Sequence, residues 1–404
     1  MRLLYILVFI RCIAVSQQQE NSGFCEASRE CSNQSNNVMN RRLLFYDVNP
    51  LEGFNLRRDV YMRFAILLHE AQKHGKRKNW FLVLPPFQNL IHWRSSIADN
   101  DPLPWSTFFD VSCLKTFAPV LDLHEVFIQE PKIDIDVLYM FQGFDDPFEN
   151  GIFEDKWQIV NNCKYDGNLW GFKNITVKEV VCVKFQGLIG KLWEVLSLHP
   201  SAKKVMVTHG EIPLHSNYGS KTYWDCRKSM NFNKELVEIA QKYISKNFDC
   251  ETVKCNNYVS VHWRRQDFAQ SRSRDVPSLE GTVKQLDKII KKELKNITNI
   301  FIATDAFTYE IDGLESKLNV LGYEVYLYTP TELELANFKD GGVAIIEQII
   351  CSHAAYFIGT HESTFTFRIQ EEREIMGFET NTTFNRLCPD SGFCEKPSKW
   401  TVVN

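Results

Sequence analysis

Apolar strand-like runs alternate with amphipathic helical segments through the second half of the chain. The spacing predicts strands at 258–262, 299–304, 323–328 and 355–359, and helices at 276–295, 309–320, 343–351 and 363–374. Such a βαβ series specifies a doubly wound, mostly parallel sheet, because right-handed crossover helices return the chain to one end of the sheet. The stretch 247–255 before this series is the predicted linker from a preceding domain.

The first half opens with the same pattern on a smaller scale. A strand at 43–48, a helix that begins near Asn55 and ends at Gly75, and a strand at 80–84 form one βαβ unit. A linker around 99–104 follows. Between 105 and 245 the pattern is mixed, and the elements predicted from it are a strand at 205–208 and a helix at 234–245, besides a strand-like alternation around 133–137. The length of 404 residues fits two or three domains, and the predicted elements divide into two α/β domains, at 41–248 and 249–404.

The N-terminus has the form of a secretory signal over residues 1–16. Arg2 precedes an apolar run at 3–10, and Ala14-Val15-Ser16 is a small-residue cleavage site. The polar stretch 17–40 is predicted to be a flexible lead. The apolar run is too short to span a bilayer, so no transmembrane segment is expected. The net charge of −4 gives no reason to expect a nucleic-acid partner.

Sequons and cysteines agree with an oxidising compartment. Candidate glycosylation sites are Asn33, Asn174, Asn296 and Asn381. Eleven cysteines follow the signal, and the pairs close in sequence are Cys25/Cys31, Cys163/Cys182, Cys250/Cys255 and Cys388/Cys394. Spacing does not settle the connectivity, and an odd count leaves at least one thiol. Cys113, Cys226 and Cys351 lie in apolar segments, where buried thiols are common and inert.

The turn after the first strand is the strongest candidate for chemistry. Pro50 ends strand pairing, and Gly53 permits a turn with positive φ or a close backbone approach to a ligand. Glu52 then lies at the mouth of a helix, where free N–H groups favour phosphate. It is either a general base beside a phosphate site or an acid that merely complements the helix dipole.

Two strand ends in the second half are further candidates. Arg264 and Arg265 follow the strand at 258–262, where ligands of open α/β sheets bind, although Arg264 or Arg265 could also pair with Asp267. Ser363 or Thr364 opens a helix after a strand and a glycine, as an anion seat or an ordinary cap.

Asp305 ends another strand. It either holds a ribose or base or caps the next helix.

Asp134-Ile135-Asp136 has the Asp-x-Asp form that some glycosyltransferases use for a divalent cation. The same residues read as an alternating strand with the acids outward, which is the favoured interpretation. The chain contains no Gly-x-Ser-x-Gly elbow, no Walker loop and no Cys-x-x-Cys pair, which argues against serine hydrolases, P-loop enzymes and thiol oxidoreductases.

Longer motifs carry a resemblance to a known family. Residues 47–59 (Asp-Val-Asn-Pro-Leu-Glu-Gly-Phe-Asn-Leu-Arg-Arg-Asp), 84–86 with 92–93, 275–281, 340–346 and 363–365 resemble the protein O-fucosyltransferases from about Arg42 onward. The resemblance implies a GT-B fold, in which two Rossmann-like domains face a central cleft. It also implies an inverting transfer of fucose from GDP-β-L-fucose to Ser or Thr of folded thrombospondin type 1 repeats, without a required metal or cofactor, in the endoplasmic reticulum.

The resemblance also assigns roles by motif. Glu52 is the implied base, and Arg264 stabilises the departing diphosphate. The implied donor-binding residues are Leu51, Glu52, Gly53, Phe54, Asn55, His262, Trp263, Arg264, Asp305, Glu347, Ser363, Thr364 and Phe365. The implied disulfides are Cys163–Cys182 and Cys388–Cys394, and a monomer is expected.

Three residues depart from the family pattern, and other functions remain open. Trp263 replaces a leucine, Gln266 a lysine and Glu347 an aspartate. The last four residues are not a Lys-Asp-Glu-Leu signal. The alternatives are a donor-binding quality-control protein with little turnover, and an O-fucosyltransferase that acts on epidermal-growth-factor-like repeats.

Overall fold

The structure is a computed structural model, and it describes residues 41–88, 90, 93, 101–148, 151–252, 254–294 and 297–404. The elements of the first half are β1 (Arg42–Tyr46), α1 (Phe54–Lys73), β2 (Trp80–Leu84), α2 (Val111–Phe117), β3 (Val120–Asp122), α3 (Leu123–Gln129), β4 (Ile133–Gln142), β5 (Lys156–Val160), β6 (Ile175–Gln186), α4 (Leu192–Leu196), β7 (Lys204–Thr208), α5 (Lys221–Ser229) and α6 (Lys234–Phe248). Those of the second half are β8 (Tyr258–Trp263), α7 (Gln266–Ser271), α8 (Leu279–Glu293), β9 (Asn299–Thr304), α9 (Thr308–Val320), β10 (Glu324–Tyr326), α10 (Glu332–His353), β11 (Tyr356–Ile358), α11 (Thr364–Ile375) and α12 (Thr380–Thr383).

Each half builds its own sheet. The first has seven strands in the order β3-β2-β1-β7-β4-β6-β5, all parallel except β5. The second has four parallel strands in the order β10-β9-β8-β11. The α/β fold class expected from the alternation of strands and helices is therefore confirmed. The domain boundaries at 41–248 and 249–404 stay a prediction.

The predicted elements of the second half are confirmed with small shifts at their ends. The largest difference is in α10, which begins eleven residues before the predicted helix and has a non-helical kink at Lys339 (φ 52°). The middle of the first half differs most from the prediction. β5 has only five residues and none of them is buried, and β6 exposes residues of both faces in its first half, so neither strand has a clear apolar pattern. The signal and the flexible lead lie outside the described residues.

One apolar core joins the two halves. It runs from Leu44 and Tyr46 of β1, through α1, to Ile345 and Ile349 of α10 and Ile369 of α11. The opposite faces of the two sheets pack into separate clusters, around Phe45 in the first half and Trp263 in the second. Alternation along each strand thus sends neighbouring side chains to different cores.

Polar contacts also cross between the halves. The guanidinium of Arg227 in α5 lies 2.8 Å from the carboxylate of Glu371 in α11, and both side chains are buried. The hydroxyl of Tyr223 donates to the same carboxylate at 2.6 Å. At the N-terminal end of α1, Arg58 donates to the Gln348 side chain of α10 at 2.9 Å. Removing one partner of such a buried pair is costly, so the halves are held in a defined relation.

Three disulfides are present: Cys163–Cys182, Cys250–Cys255 and Cys388–Cys394. They confirm the two implied pairings and one further close pair, while Cys25 and Cys31 lie outside the described residues. Cys113, Cys226 and Cys351 are buried, as predicted. Asn174 and Asn381 are exposed, Asn33 and Asn296 are not described, and glycosylation stays a prediction. Within the described ranges, every helix is too short or too polar to cross a bilayer.

The close contact between α10 and α6 gives a test of the packing. A Cβ at Gly342 would overlap Phe338 and lie 3.3 Å from Leu236 of α6. We expect Gly342→Ala to lower the free energy of unfolding by about 1–3 kcal/mol, measured by denaturant unfolding. Gly143→Ala is the matched control, because a Cβ there meets open space. Equal stability of the two variants would contradict this packing.

Candidate active site

The loop after β1 is held by hydrogen bonds within itself and to α1. The Asn49 carbonyl accepts from the amide of Glu52 at 2.9 Å, and the Asn49 side chain accepts from the amide of Leu51 at 3.0 Å. The buried Arg57 of α1 donates to the carbonyls of Val48 at 3.3 Å and Asn49 at 3.1 Å. The backbone that carries Glu52 is therefore fixed from several directions.

The Glu52 carboxylate is partly buried and lacks a hydrogen bond or ion pair to any of the described residues. Burial raises the pKa of this carboxyl and the negative charge of Glu211 raises it further, while Arg57 and Arg63 oppose the shift. An unpaired carboxylate with a raised pKa is suited to accept a proton.

The helix α1 begins at Phe54, which confirms the predicted start near Asn55. Gly53 is the N-cap residue and has φ −74°, so the positive φ offered for it is wrong, while the close backbone approach to a ligand stays a prediction. Gly53 has no side chain to cap this turn, so within the described part of the chain its N–H groups stay open to a ligand. Leu51 beside it is 69% exposed.

Phe54 and Asn55 have their side chains turned into the protein. The Phe54 ring packs against Phe87 and Phe108, with centroids 5.1 and 5.2 Å away. The Asn55 side-chain oxygen accepts from Gln348 of α10 at 2.9 Å. The Phe54 side chain thus belongs to the core, and Asn55 links the turn to the second half.

His262 lies at the end of β8 and is almost fully buried. Its Nδ1 lies 2.8 Å from the hydroxyl of Thr366, which itself donates to the carbonyl of Thr360 at 3.0 Å. Thr366 must therefore accept, so Nδ1 carries the proton and Nε2 the lone pair. The ring stacks on Phe365 at 4.4 Å. Burial and the nearby Arg264 lower the pKa of His262 to about 3, so the imidazole is neutral at neutral pH.

Trp263 and Arg265 point away from that surface. Because side chains alternate along a strand, Trp263 faces the second core, where its indole is fully buried. Arg265 pairs with Glu310 at 2.8 Å and donates to the carbonyl of Pro277 at 2.9 Å. The predicted donor contact of the Trp263 side chain and the suggested phosphate clamp by Arg265 are therefore corrected: these side chains support the sheet.

Arg264 is held between two carboxylates. Its guanidinium lies 2.8 Å from Asp267 and 3.2 Å from Asp305, and its amide donates to the hydroxyl of Thr360 at 2.9 Å. The ion pair between Arg264 and Asp267, which was the alternative to ligand binding for this motif, is present in the structure. Asp305 is not a helix cap, since Phe307 is the N-cap of α9. Its carboxylate instead orients Arg264, which remains partly exposed.

Glu347 lies on α10, close enough to Asp305 for the two charges to interact. Burial, and then the negative charge of Asp305, raise the pKa of Glu347 to about 8. Its neighbour Gln348 bonds both Asn55 and Arg58 of α1, each at 2.9 Å. Glu347 is therefore next to the contact that connects the two halves.

Ser363 is the N-cap of α11, but its hydroxyl does not cap the first turn. Thr364 is exposed, and Phe365 covers the imidazole of His262. The open first turn of α11 therefore lies beside the ends of β8 and β11. The Gln266 side chain, where the family has lysine, donates to the carbonyl of Asp305 at 2.5 Å.

The structure thus gathers His262, Arg264, Asp305, Glu347 and Phe365 at the carboxyl edge of the second sheet. The loop with Glu52 joins them through the contact of Asn55 with Gln348. The side chains of Phe54 and Trp263 are not part of this group.

Sequence reasoning missed His209 and Glu211. They follow β7, a predicted strand, and the Glu211 carboxylate accepts from the amide of Asn49 at 3.0 Å. The rule that ligands lie at the carboxyl ends of strands, applied to 205–208, would have marked them.

Asp134 and Asp136 lie on β4 as the alternating strand predicts. Asp134 pairs with Lys132 at 3.1 Å, and Asp136 with Lys178 at 2.7 Å. Where the structure describes the chain, it brings no three His, Cys, Asp or Glu side chains into a group able to hold a metal ion.

Comparisons with known proteins agree on one family. The family model for GDP-fucose protein O-fucosyltransferase matches residues 43–376. The chain is 38% identical to GDP-fucose protein O-fucosyltransferase 2 of Homo sapiens, over 90% of each chain. It is 36% identical to the Caenorhabditis elegans protein of the same name, over 99% of this chain and 98% of that one. A crystal structure of POFUT1 in complex with GDP-fucose has a similar fold, with a TM-score of 0.58 and 16% identity over 86% of this chain and 98% of that one.

The protonation of His262 can be checked directly. We expect its ring nitrogens to show a neutral, Nδ1-protonated imidazole from pH 5 to 8 in heteronuclear NMR, because the pKa is lowered to about 3. The signal is assigned by its absence in His262→Asn. In Thr366→Val, which lacks the acceptor, the proton should shift toward Nε2. A titration midpoint near the usual value of about 6.5 would contradict the assignment.

Proposed function

Because the chain belongs to the GDP-fucose protein O-fucosyltransferase family, we propose that it transfers fucose from GDP-β-L-fucose to serine or threonine of folded thrombospondin type 1 repeats, with inversion at the anomeric carbon. The chain is a glycosyltransferase that fucosylates proteins. The acceptor repeat, the inversion and the residue roles are the proposed part. The observation that carries the proposal is the unpaired, partly buried carboxylate of Glu52 on its braced loop.

Glu52 is the proposed general base. It takes the proton of the acceptor hydroxyl while that oxygen bonds to the anomeric carbon of fucose. The bond from this carbon to the β-phosphate oxygen breaks, and GDP leaves with the electron pair. Attack from the face opposite the leaving group inverts the configuration in one step, so no covalent enzyme intermediate is needed. The raised pKa of Glu52 supports this role, since a stronger base accepts the proton more readily.

Arg264 is the proposed stabiliser of the leaving diphosphate. Asp267 and Asp305 orient its guanidinium before any ligand arrives. The uncapped first turn of α11 offers N–H groups to the same phosphates. These positive partners support a reaction with no required metal, which we include in the proposal.

The remaining contacts with the donor follow from chemistry. The neutral His262 presents an acceptor at Nε2, which suits a hydroxyl of the donor better than a phosphate. The proposed donor site is completed by the backbone of Leu51 and Gly53 and by three residues at the start of α11: Ser363, Thr364 and Phe365. Glu347 is proposed to hydrogen-bond the ribose or guanine.

The proposed place of the reaction is the lumen of the endoplasmic reticulum. Three disulfides support an oxidising compartment. The enzyme would meet its folded acceptor repeats in that compartment.

The acceptor is tested by mixing the enzyme with GDP-fucose and a folded thrombospondin type 1 repeat, or a folded epidermal-growth-factor-like repeat, with and without EDTA. We expect fucose on the first repeat alone and equal rates with EDTA, measured by intact-mass spectrometry. An unfolded, reduced repeat is the control. Transfer to the other repeat alone would replace the acceptor. Binding of GDP-fucose without transfer to either repeat would favour the quality-control alternative.

The base is tested with Glu52→Gln, which keeps the shape and removes the proton acceptor. We expect kcat to fall by about 10²–10⁴-fold, with the KM for GDP-fucose changed less than threefold, since the loss lies in the transition state. Glu70→Gln, on the same helix α1 but far from its first turn, is the control and should keep wild-type rates. Most of the activity surviving in Glu52→Gln would mean that another group takes the proton.

A further inference from the structure

The turn after β7 is packed against the loop that carries Glu52. β7 and β1 are parallel neighbours, so their carboxyl ends meet. The amide of Gly210 donates to the carbonyl of Asp47 at 2.8 Å. A Cβ at Gly210 would lie 3.0 Å from that carbonyl and 3.0 Å from the ring of Phe64. Any larger residue would crowd these atoms, so glycine favours this close approach, which brings the next residue, Glu211, to the loop.

Glu211 uses both of its carboxylate oxygens. Oε2 accepts from the amide of Asn49 at 3.0 Å, and Oε1 lies 2.9 Å from Nδ1 of His209. The carbonyl of Glu211 accepts from Arg63 of α1 at 2.8 Å. The Glu211 side chain is only 15% exposed, so its position is determined by these contacts.

Asn49 connects Glu211 to the reacting group. Its amide is held by Glu211, while its carbonyl holds the amide of Glu52 at 2.9 Å. A shift of Glu211 would therefore move the backbone of Glu52 through a single intervening residue.

We propose that Glu211 and His209 form a positioning pair for Glu52, in which Glu211 fixes the loop through Asn49 and its negative charge makes Glu52 a stronger base. Protonation of His209 reduces that charge, so the pair makes the strength of the base depend on pH. The inference rests on the proposed role of Glu52 as the general base.

The electrostatics of this corner support the pair. The charged groups that the described residues bring to it are Asp47 at the end of β1, Arg57 and Arg63 on α1, and His209 and Glu211 on the turn. The hydrogen bond to Glu211 raises the pKa of His209, and burial opposes this. Burial acts against ionisation of Glu211, but the bonds from His209 and Asn49 hold its pKa below the usual value. The pair carries one negative charge when His209 is neutral and none when His209 is protonated.

Glu211→Gln tests the charge while keeping the shape. Its amide oxygen can accept from Asn49, and its NH2 can donate to the imidazole of His209. Without the negative charge, the pKa of Glu52 falls, and the acid limb of the kcat profile moves to lower pH. The weaker base should lower the plateau of kcat by about three- to tenfold, with little change in KM for GDP-fucose.

His209→Asn should shift the acid limb in the opposite direction. Asparagine tolerates the left-handed backbone of His209 (φ 55°), and the substitution leaves Glu211 without its cationic partner. The pKa of Glu52 should rise, and activity should be lost at a higher pH than in the wild type. Glu179→Gln is the matched control. Glu179 of β6 pairs at 3.3 Å with His199, which precedes the start of β7, so this pair is at the other end of β7 from the loop. The control should change neither limb nor plateau.

A carboxyl ¹³C titration of Glu52 gives the same answer without turnover, with the signal assigned by its loss in Glu52→Gln. The proposal expects its midpoint to fall in Glu211→Gln and to rise in His209→Asn. An unchanged midpoint in both variants, each folded by circular dichroism, overturns the pairing. If Glu211→Gln does not fold, His209→Asn alone decides by the direction of its shift. A wild type that transfers no fucose refutes the proposed function, whereas the titration still decides the pairing.

Discussion

The arrangement of the site depends on the buried contact between the first turn of α1 and the middle of α10. Arg58 is fully buried, and its cationic head lies over the rings of Phe109 at 5.4 Å and Phe232 at 5.0 Å. Its Nη1 donates to Gln348 at 2.9 Å and to Asn55 at 3.3 Å. Burial lowers the pKa of Arg58 well below its usual value, so these partners are what make the buried charge tolerable. They also set the distance between the loop of Glu52 and the helix of Glu347.

The same boundary is reinforced further along. Arg227 and Tyr223 both bond the buried Glu371, and Arg368 lies 3.1 Å from the same carboxylate. A continuous apolar core surrounds these polar groups. The two sheets are thus packed together across their boundary, and this packing holds the groups proposed to act on acceptor and donor in register.

Local patterning explains why so much of the site could be read in advance. The ends of predicted strands mark Glu52, Arg264 and Asp305, because parallel strands present their carboxyl ends on one edge. What local pattern could not give is the direction of each side chain. Phe54 and Trp263 belong to motifs of the site, yet alternation along β8 and the start of α1 turn their side chains into the cores. Arg264 and Arg265 are adjacent in sequence, but one faces the site and the other binds Glu310.

The sequence alone determined the α/β alternation, the strand–turn–helix around Glu52 and the set of strand ends in the second half. These follow from periodicity and from turn residues that act over a few positions. Only the tertiary structure decided that β7 lies beside β1, and so that Glu211 holds Asn49 across 162 positions of sequence. It also decided that Gln348 meets Asn55 and Arg58. Such contacts arise from the order of strands and the packing of helices, which depend on the whole chain, so no local pattern encodes them.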